Sequence, residues 1–212
     1  QVKKLKNNQE AIMCTCGVKI NYLYTKMSYN NYPNIEDITF DKMLFRNYMG
    51  ISSCILVWAK IFNEIGYYDE TLSAREDYDF HIRISKHYKV TYVNKVLVNY
   101  LIHENPNKQM NSGIERFKIA NKLIYNKYNK YYKKFTKELL NIRLSTIYFQ
   151  YSTICINNQL KKQAIIFIFM AIKRYRNIRY YLVLLSYFFG LKGYIYLKII
   201  SGAIIKINPR IK

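Results

Sequence analysis

Acid is scarce in this chain: 13 Asp and Glu stand against 34 Lys and Arg, a formal charge of +21 over 212 residues. The shortage is uneven. Residues 1–113 carry 14 basic and 11 acidic side chains, a balance of +3, whereas residues 114–212 carry 20 and 2, a balance of +18. A basic half beside a nearly neutral one implies an anionic partner for the former, either nucleic acid or a membrane surface. Helix breakers are scarce in the same half: no proline lies between Asn111 and Pro209, and no glycine from 114 to 189. Cysteine is limited to Cys14, Cys16, Cys54 and Cys155, with no Cys-x-x-Cys pair. That spacing argues against zinc and leaves four small apolar residues, expected to be reduced in a cytoplasmic setting. Long apolar runs are missing too. Residues 164–172 give nine and residues 180–191 give twelve, short of the ~20 that a spanning helix needs. Gly190, Lys192, Gly193 and Lys198 interrupt any longer run to Ile205. The chain opens on Gln1 without a signal-peptide pattern, so it is expected to be processed or to be part of a longer product.

Half of the residues are apolar, enough for one ordinary domain or a smaller domain with an appendage. Residues 11–20 have strand composition, followed by an Asn-rich loop with Pro33. Ile38, Met43, Leu44 and Tyr48 fall at helical spacing before Gly50, which predicts a helix within 35–50. Residues 51–58 read as a short strand, and 59–66 as a short helix ended by Gly66. A further helix is predicted from Arg75 to Tyr88, and an alternating Val- and Tyr-rich strand over 89–103. The mixture predicts an α/β sandwich. From residue 114 onward the chain reads as antiparallel helices, with apolar positions 114, 117, 120, 124 and 128 on the first. Basic, aromatic-rich helices of this kind lie naturally in a headgroup region. Contact with an anionic membrane surface is therefore preferred here to purely soluble packing helices.

Against the basic background, Asp69, Glu70, Glu76, Asp77 and Asp79 crowd into eleven residues. Repulsion among carboxylates is a cost, and a fold that keeps them together commonly has a use for one. The plain alternative is a turn at Asp69 and Glu70 and a helix N-terminus stabilised by Glu76 and Asp77. The order of the surrounding pieces points further. Gly50, Ser52 and Ser53 open an apolar strand; Gly66, Tyr68, Asp69 and Glu70 form a turn; Glu76, Asp77, Asp79 and Arg83 open a helix; a strand then ends at His103.

This ordered set, over about residues 10–112, resembles the C-terminal half of the catalytic domain of family 2 glycosyltransferases. The resemblance implies a partial GT-A (Rossmann-like) α/β sandwich over 1–112, followed by an all-helical region over 113–212. It implies transfer of a sugar with inversion from a nucleotide-sugar donor to a glycan or lipid-linked acceptor in surface polysaccharide synthesis. Asp77 takes the place of the general base and Glu76 orients groups beside it, while Ser52 and Ser53 line the acceptor side. His103 falls where some members complete the metal or diphosphate site, although Leu101 stands where Arg is common. Asp69 and Glu70 are expected to hold the turn, and Asp79 and Arg83, four apart on a helix, to pair in support. The family also holds a divalent ion, Mg or Mn, through an Asp-x-Asp motif that this sequence lacks ahead of the acceptor region. The N-terminal donor-binding half is therefore expected to lie outside the chain, which alone is expected to be inactive. The implied location is cytoplasmic, peripheral at the inner face of the cell membrane. A non-catalytic basic helical module binding membrane or nucleic acid, or a tetratricopeptide-like adaptor, would leave the acidic motif unexplained, and no nucleic-acid-binding signature accompanies the basic half.

Overall fold

A computed structural model describes residues 1–23, 25–33, 38–103 and 113–204. After a short helix α1 (Val2–Lys6), the run from Ala11 to Val18 is buried at every position, and such a run forms a central strand. This is β1 (Ala11–Tyr22). The alternating strand β4 (Lys89–Ile102) lies parallel to it from Ala11↔Lys89 to Tyr22↔Ile102, with register slips near Met13 and Gly17. The other edge of β1 is shared by two antiparallel strands. β2 (Met27–Asn31) pairs with its end, and β3 (Leu56–Val57) pairs with Met13 and Cys14.

The helix expected over 35–50 is much shorter. Residues 34–37 lie outside the described residues, and α2 spans only Phe40–Met43, with the Thr39 hydroxyl accepting from the Lys42 amide. From its last residue onward, Met43, Leu44, Phe45 and Met49 are all buried, which one face of a helix would not allow. Their carbonyls find side-chain donors instead: Tyr78 Oη on Met43, Tyr132 Oη (3.0 Å) and Arg143 Nε (3.1 Å) on Leu44, Thr15 Oγ1 (2.8 Å) on Met49. The strand expected over 51–58 likewise shrinks to a 3-10 turn at Ser52–Cys54 and then β3. The helix α3 (Lys60–Ile65) ends as predicted, at Gly66 with φ of 79°, and α4 (Glu76–His87) follows.

The carboxy-terminal half is helical: α5 (Ile114–Lys127), α6 (Asn129–Tyr132), α7 (Lys137–Asn157), α8 (Lys161–Arg174), α9 (Ile178–Tyr187) and α10 (Gly190–Ile204). The expected division at 112 and 113 lies at the edge of the segment 104–112, outside the described residues, and packing on either side is continuous. One core joins Met13, Met43 and Phe80 to Ala120, Ile124 and Tyr132. The helix α7 is buried on several sides and forms a hairpin with α8 through Gln159 (φ 61°). A second core is built from Cys155, Ala164, Ile168 and Tyr187. Its tyrosines bury their rings and pair their hydroxyls with small polar residues of α7, Tyr180 with Ser145 (3.1 Å) and Tyr187 with Ser152 (2.8 Å). All four cysteines are free and buried, and burial raises the Cys54 thiol to about 12 and that of Cys155 to about 11. Among the described residues no helix is long and apolar enough to cross a membrane. The architecture is thus α/β with a mixed four-stranded sheet, followed by a helical region.

Candidate active site

The site is assembled where the loop before β3 meets the first turn of α4. Asn47 organises that loop. Its side-chain oxygen accepts the Met49 amide (3.0 Å), and its amide donates to the Gly50 carbonyl (2.8 Å). With that oxygen fixed as an acceptor, the His81 Nδ1 at 3.1 Å must be the donor. His81 is buried, and burial depresses its imidazole to about 3, so it stays neutral and ties α4 to the loop. Gly50 then turns the chain with φ of 93° and delivers Ser52 and Ser53 to the surface.

Asp77 and Glu76 sit on the facing first turn, both half-buried. Asp77 accepts the Tyr78 amide at 2.6 Å. Burial, and then the charge of Glu76, raise its carboxyl above the ordinary range; the Tyr78 amide, the Arg75 charge and the Ser52 hydroxyl oppose the rise. Ser52 therefore stands beside Asp77, while Ser53 is exposed on the same turn. Tyr68 faces the pair as well: burial, then Asp77 and Glu76, push its phenol up, and its ring packs on Phe80 with centroids 4.9 Å apart. Among the described residues no ion pair engages Glu76 or Asp77.

The other acids are committed. Asp79 is fully buried and receives Arg83 Nε (3.0 Å), Tyr128 Oη (2.8 Å) and Lys127 Nζ (2.9 Å). Asp69 receives the amide (3.1 Å) and hydroxyl (2.6 Å) of Thr71 and Lys127 Nζ (2.6 Å). Hydrogen bonds from Lys127 and Thr71 hold its carboxyl down at about 2. Arg83 also donates to the carbonyls of Ile65, Gly66 (3.2 Å) and Tyr67 (2.7 Å), so Asp79 and Arg83 clamp the turn that carries Tyr68. Glu70 is exposed at that turn. His103 is exposed at the end of β4, where Leu23 bonds to the neighbouring Ile102 carbonyl. It lies five residues beyond Val98, which packs with Cys54, or about 16 Å along a strand. The structure does not bring it to Asp77.

Arg75 is a site residue that the sequence reading missed. It has φ of 63°, a left-handed conformation that costs a bulky residue about 1–2 kcal/mol. The side chain is buried, lies over the Tyr78 ring at 4.3 Å and donates to Gln150 Oε1 of α7 at 2.7 Å, with Nε left unpartnered. These contacts hold the strained residue that aims Glu76 and Asp77. No sequence signal marks it, because its partner is 75 residues away and left-handed positions usually carry Gly or Asn.

A divalent ion needs more oxygen or nitrogen donors than the two carboxylates supply. Among the described residues no group of three His, Cys, Asp or Glu could hold a metal, so the Mg or Mn implied by the resemblance has no fitting donor set there.

No curated protein and no solved structure matches the chain. The family model described as "Glycosyltransferase like family 2" matches residues 1–164. The match is wider than the motif-bearing stretch of about 10–112, taking in α5, α6 and α7, in keeping with a core that crosses from the sheet into those helices. A match over more than three quarters of the 212 residues places the chain among the family 2-like glycosyltransferases.

Proposed function

We propose that Asp77 is the general base of an inverting sugar transfer. The observation that carries this reading is the contrast within one acidic cluster: Asp69 and Asp79 are locked by cations and hydroxyls, whereas Asp77 makes no direct ion pair among the described residues, is half-buried and is raised. A base must be free to accept a proton, and one with a raised value accepts it more readily near neutral pH. In the reaction an acceptor hydroxyl oxygen forms a bond to the anomeric carbon. The bond from that carbon to the phosphate oxygen breaks, the nucleoside diphosphate leaves with the electron pair, and the hydroxyl proton passes to Asp77. Glu76 orients the acceptor, Ser52 and Ser53 bound it, and Tyr68 offers an apolar ring face beside it. The nucleotide-sugar and its divalent ion are assigned to residues outside these 212, and on this reading the chain alone does not turn over.

The same reading places the helical half against an anionic membrane surface on the cytoplasmic side, near a lipid-linked acceptor for surface polysaccharide. It is supported by large apolar side chains left in solvent, among them Phe189 (80% exposed), Phe188 and Leu185, on a half of charge +18. Asp77→Asn in the enzyme joined to its donor-binding half is expected to lower the transfer rate about 10²-fold or more while donor binding is kept. Retained transfer would remove Asp77 from the role. The chain is also expected to float with anionic vesicles at low salt and release at high salt; indifference to lipid charge would remove the membrane assignment.

A further inference from the structure

A second feature lies on the neighbouring face of α7 from the one that serves Arg75. A cavity opens between the segment 45–48, α7 and the junction of α8 with α9. Arg46 and Arg179 both line it, with Tyr48, Tyr175 and Thr146, and among the described residues no carboxylate does. Among the described residues neither guanidinium makes a hydrogen bond or an ion pair. Arg46 lies over the Tyr48 ring at 4.3 Å, and Arg179 over Phe149 at 5.4 Å. Ring faces hold a guanidinium in place but leave its in-plane N–H donors unused.

A third cation converges on the same place. Lys198 of α10 lies over Phe149 at 5.7 Å and over Tyr194 at 5.4 Å. Its ammonium is brought down to about 7, first by burial and then by the charges of Arg179 and Arg46. Arg46 and Arg179 share one cavity wall on which no acid stands among the described residues, so they repel each other, and an anion of charge two or more would offset that. The amino end of α9 is not the source of the attraction, because the Asn177 side chain already accepts the Arg179 amide at 2.9 Å.

We propose that this cavity is a binding site for a phosphate-class anion, gripped by Arg46 and Arg179 and bounded by Tyr48, Tyr175 and Thr146. Arginine suits the task because its planar fork meets two phosphate oxygens at once. Beside the cavity stands Ile178, 63% exposed, on the helix that also exposes Leu185. A phosphate carrying an apolar chain therefore fits as well as a free phosphate or diphosphate. The site does not depend on Asp77 or on glycosyl transfer. Consecutive side chains point about 100° apart on a helix, so Phe149 at the cavity and Gln150 beneath Arg75 put the two sites on adjoining faces of α7.

The test is equilibrium binding of inorganic diphosphate to the 212-residue chain, compared with Arg46→Gln, Arg179→Gln and a Lys133→Gln/Lys134→Gln control. The control removes two exposed charges that do not line the cavity. Either arginine variant is expected to weaken binding at least tenfold, with the control unchanged. Equal weakening in the control, or unchanged affinity in both folded arginine variants, would overturn the site. Should the arginine variants not fold, the Nε–H resonances of Arg46 and Arg179 in the unaltered chain must move during the diphosphate titration; static resonances would overturn it equally. Vesicles separate the sources. Retention by phosphatidic acid over the same charge of phosphatidylserine, lost in Arg46→Gln, identifies a lipid phosphate, whereas diphosphate binding with no such preference identifies a soluble one. Vesicle binding that tracks charge alone, without diphosphate binding, would leave the membrane surface standing and remove this site.

Discussion

Two successive stretches of one acidic segment behave as opposites. Asp79 points into the protein and meets Arg83, Lys127 and Tyr128, whereas Asp77, two residues earlier, meets one backbone amide and the Ser52 hydroxyl. Both belong to the first turn of α4, where the helix dipole favours negative charge. The dipole therefore does not decide their roles; the company each keeps does. A carboxylate surrounded by cations is structural, since its charge is already used. One left half-buried without a cation holds a proton more readily and has an oxygen to offer. The Asp79 cluster in turn holds the Tyr67 carbonyl and steadies the turn facing Asp77, so the structural acid supports the chemical one.

Asp79→Asn should break this contrast most severely. Removing the charge at the centre of a buried ionic cluster leaves Arg83 without its carboxylate and Lys127 with Asp69 alone, and costs about 3–5 kcal/mol, to be read as a lower urea midpoint. A loss below about 1 kcal/mol would mean that the cluster is not the clamp described. Gln150→Ala should cost about 2 kcal/mol, because it strips a hydrogen bond from the buried Arg75 guanidinium. An unaffected midpoint would detach the helical half from the site.

His81 sharpens the comparison through pH. Its folded value of about 3 lies below the ordinary 6.5, so below pH 6.5 the unfolded chain takes up a proton that the folded one refuses. Its contribution is fully present above 6.5 and is lost as pH falls toward 3, at up to about 1.4 kcal/mol per pH unit. Asp69, held at about 2, loses its contribution only lower, between the ordinary carboxylate value and 2. His81→Gln should thus flatten the stability profile between pH 6.5 and 4.5; an unchanged slope there would contradict the buried neutral imidazole. The smallest effect belongs to Asp77→Asn, expected to leave stability within about 0.5 kcal/mol or to raise it slightly, because ionising a carboxyl with a raised value works against folding.

The sequence made much of this frame legible. The strand composition of β1, Gly66 at the end of α3, the alternation of β4 and the acid-led α4 all carry local signals, and each forms. What escaped depends on distant partners. The helix stops at Met43 because the carbonyls from Met43 to Met49 serve Tyr78, Tyr132, Arg143 and Thr15, residues 34 to 99 positions away. Arg75 and its partner Gln150 were hidden for the same reason, and His81 showed nothing in sequence of its bond to Asn47. Spacing four apart marked Asp79 and Arg83 as neighbours, but Lys127 and Tyr128 complete that cluster from the end of α5, 48 and 49 residues further on. The motif order placed His103 near the site, and the length of β4 carries it away.

The most direct test is a site-resolved NMR titration of the aspartate carboxyl carbons in the 212-residue chain. The account predicts that Asp77 titrates above the ordinary value of about 3.9 and that Asp69 titrates near 2. Asp77 titrating at or below the ordinary value would show a carboxylate already stabilised by the protein, and the assignment of Asp77 as the uncommitted base would fail.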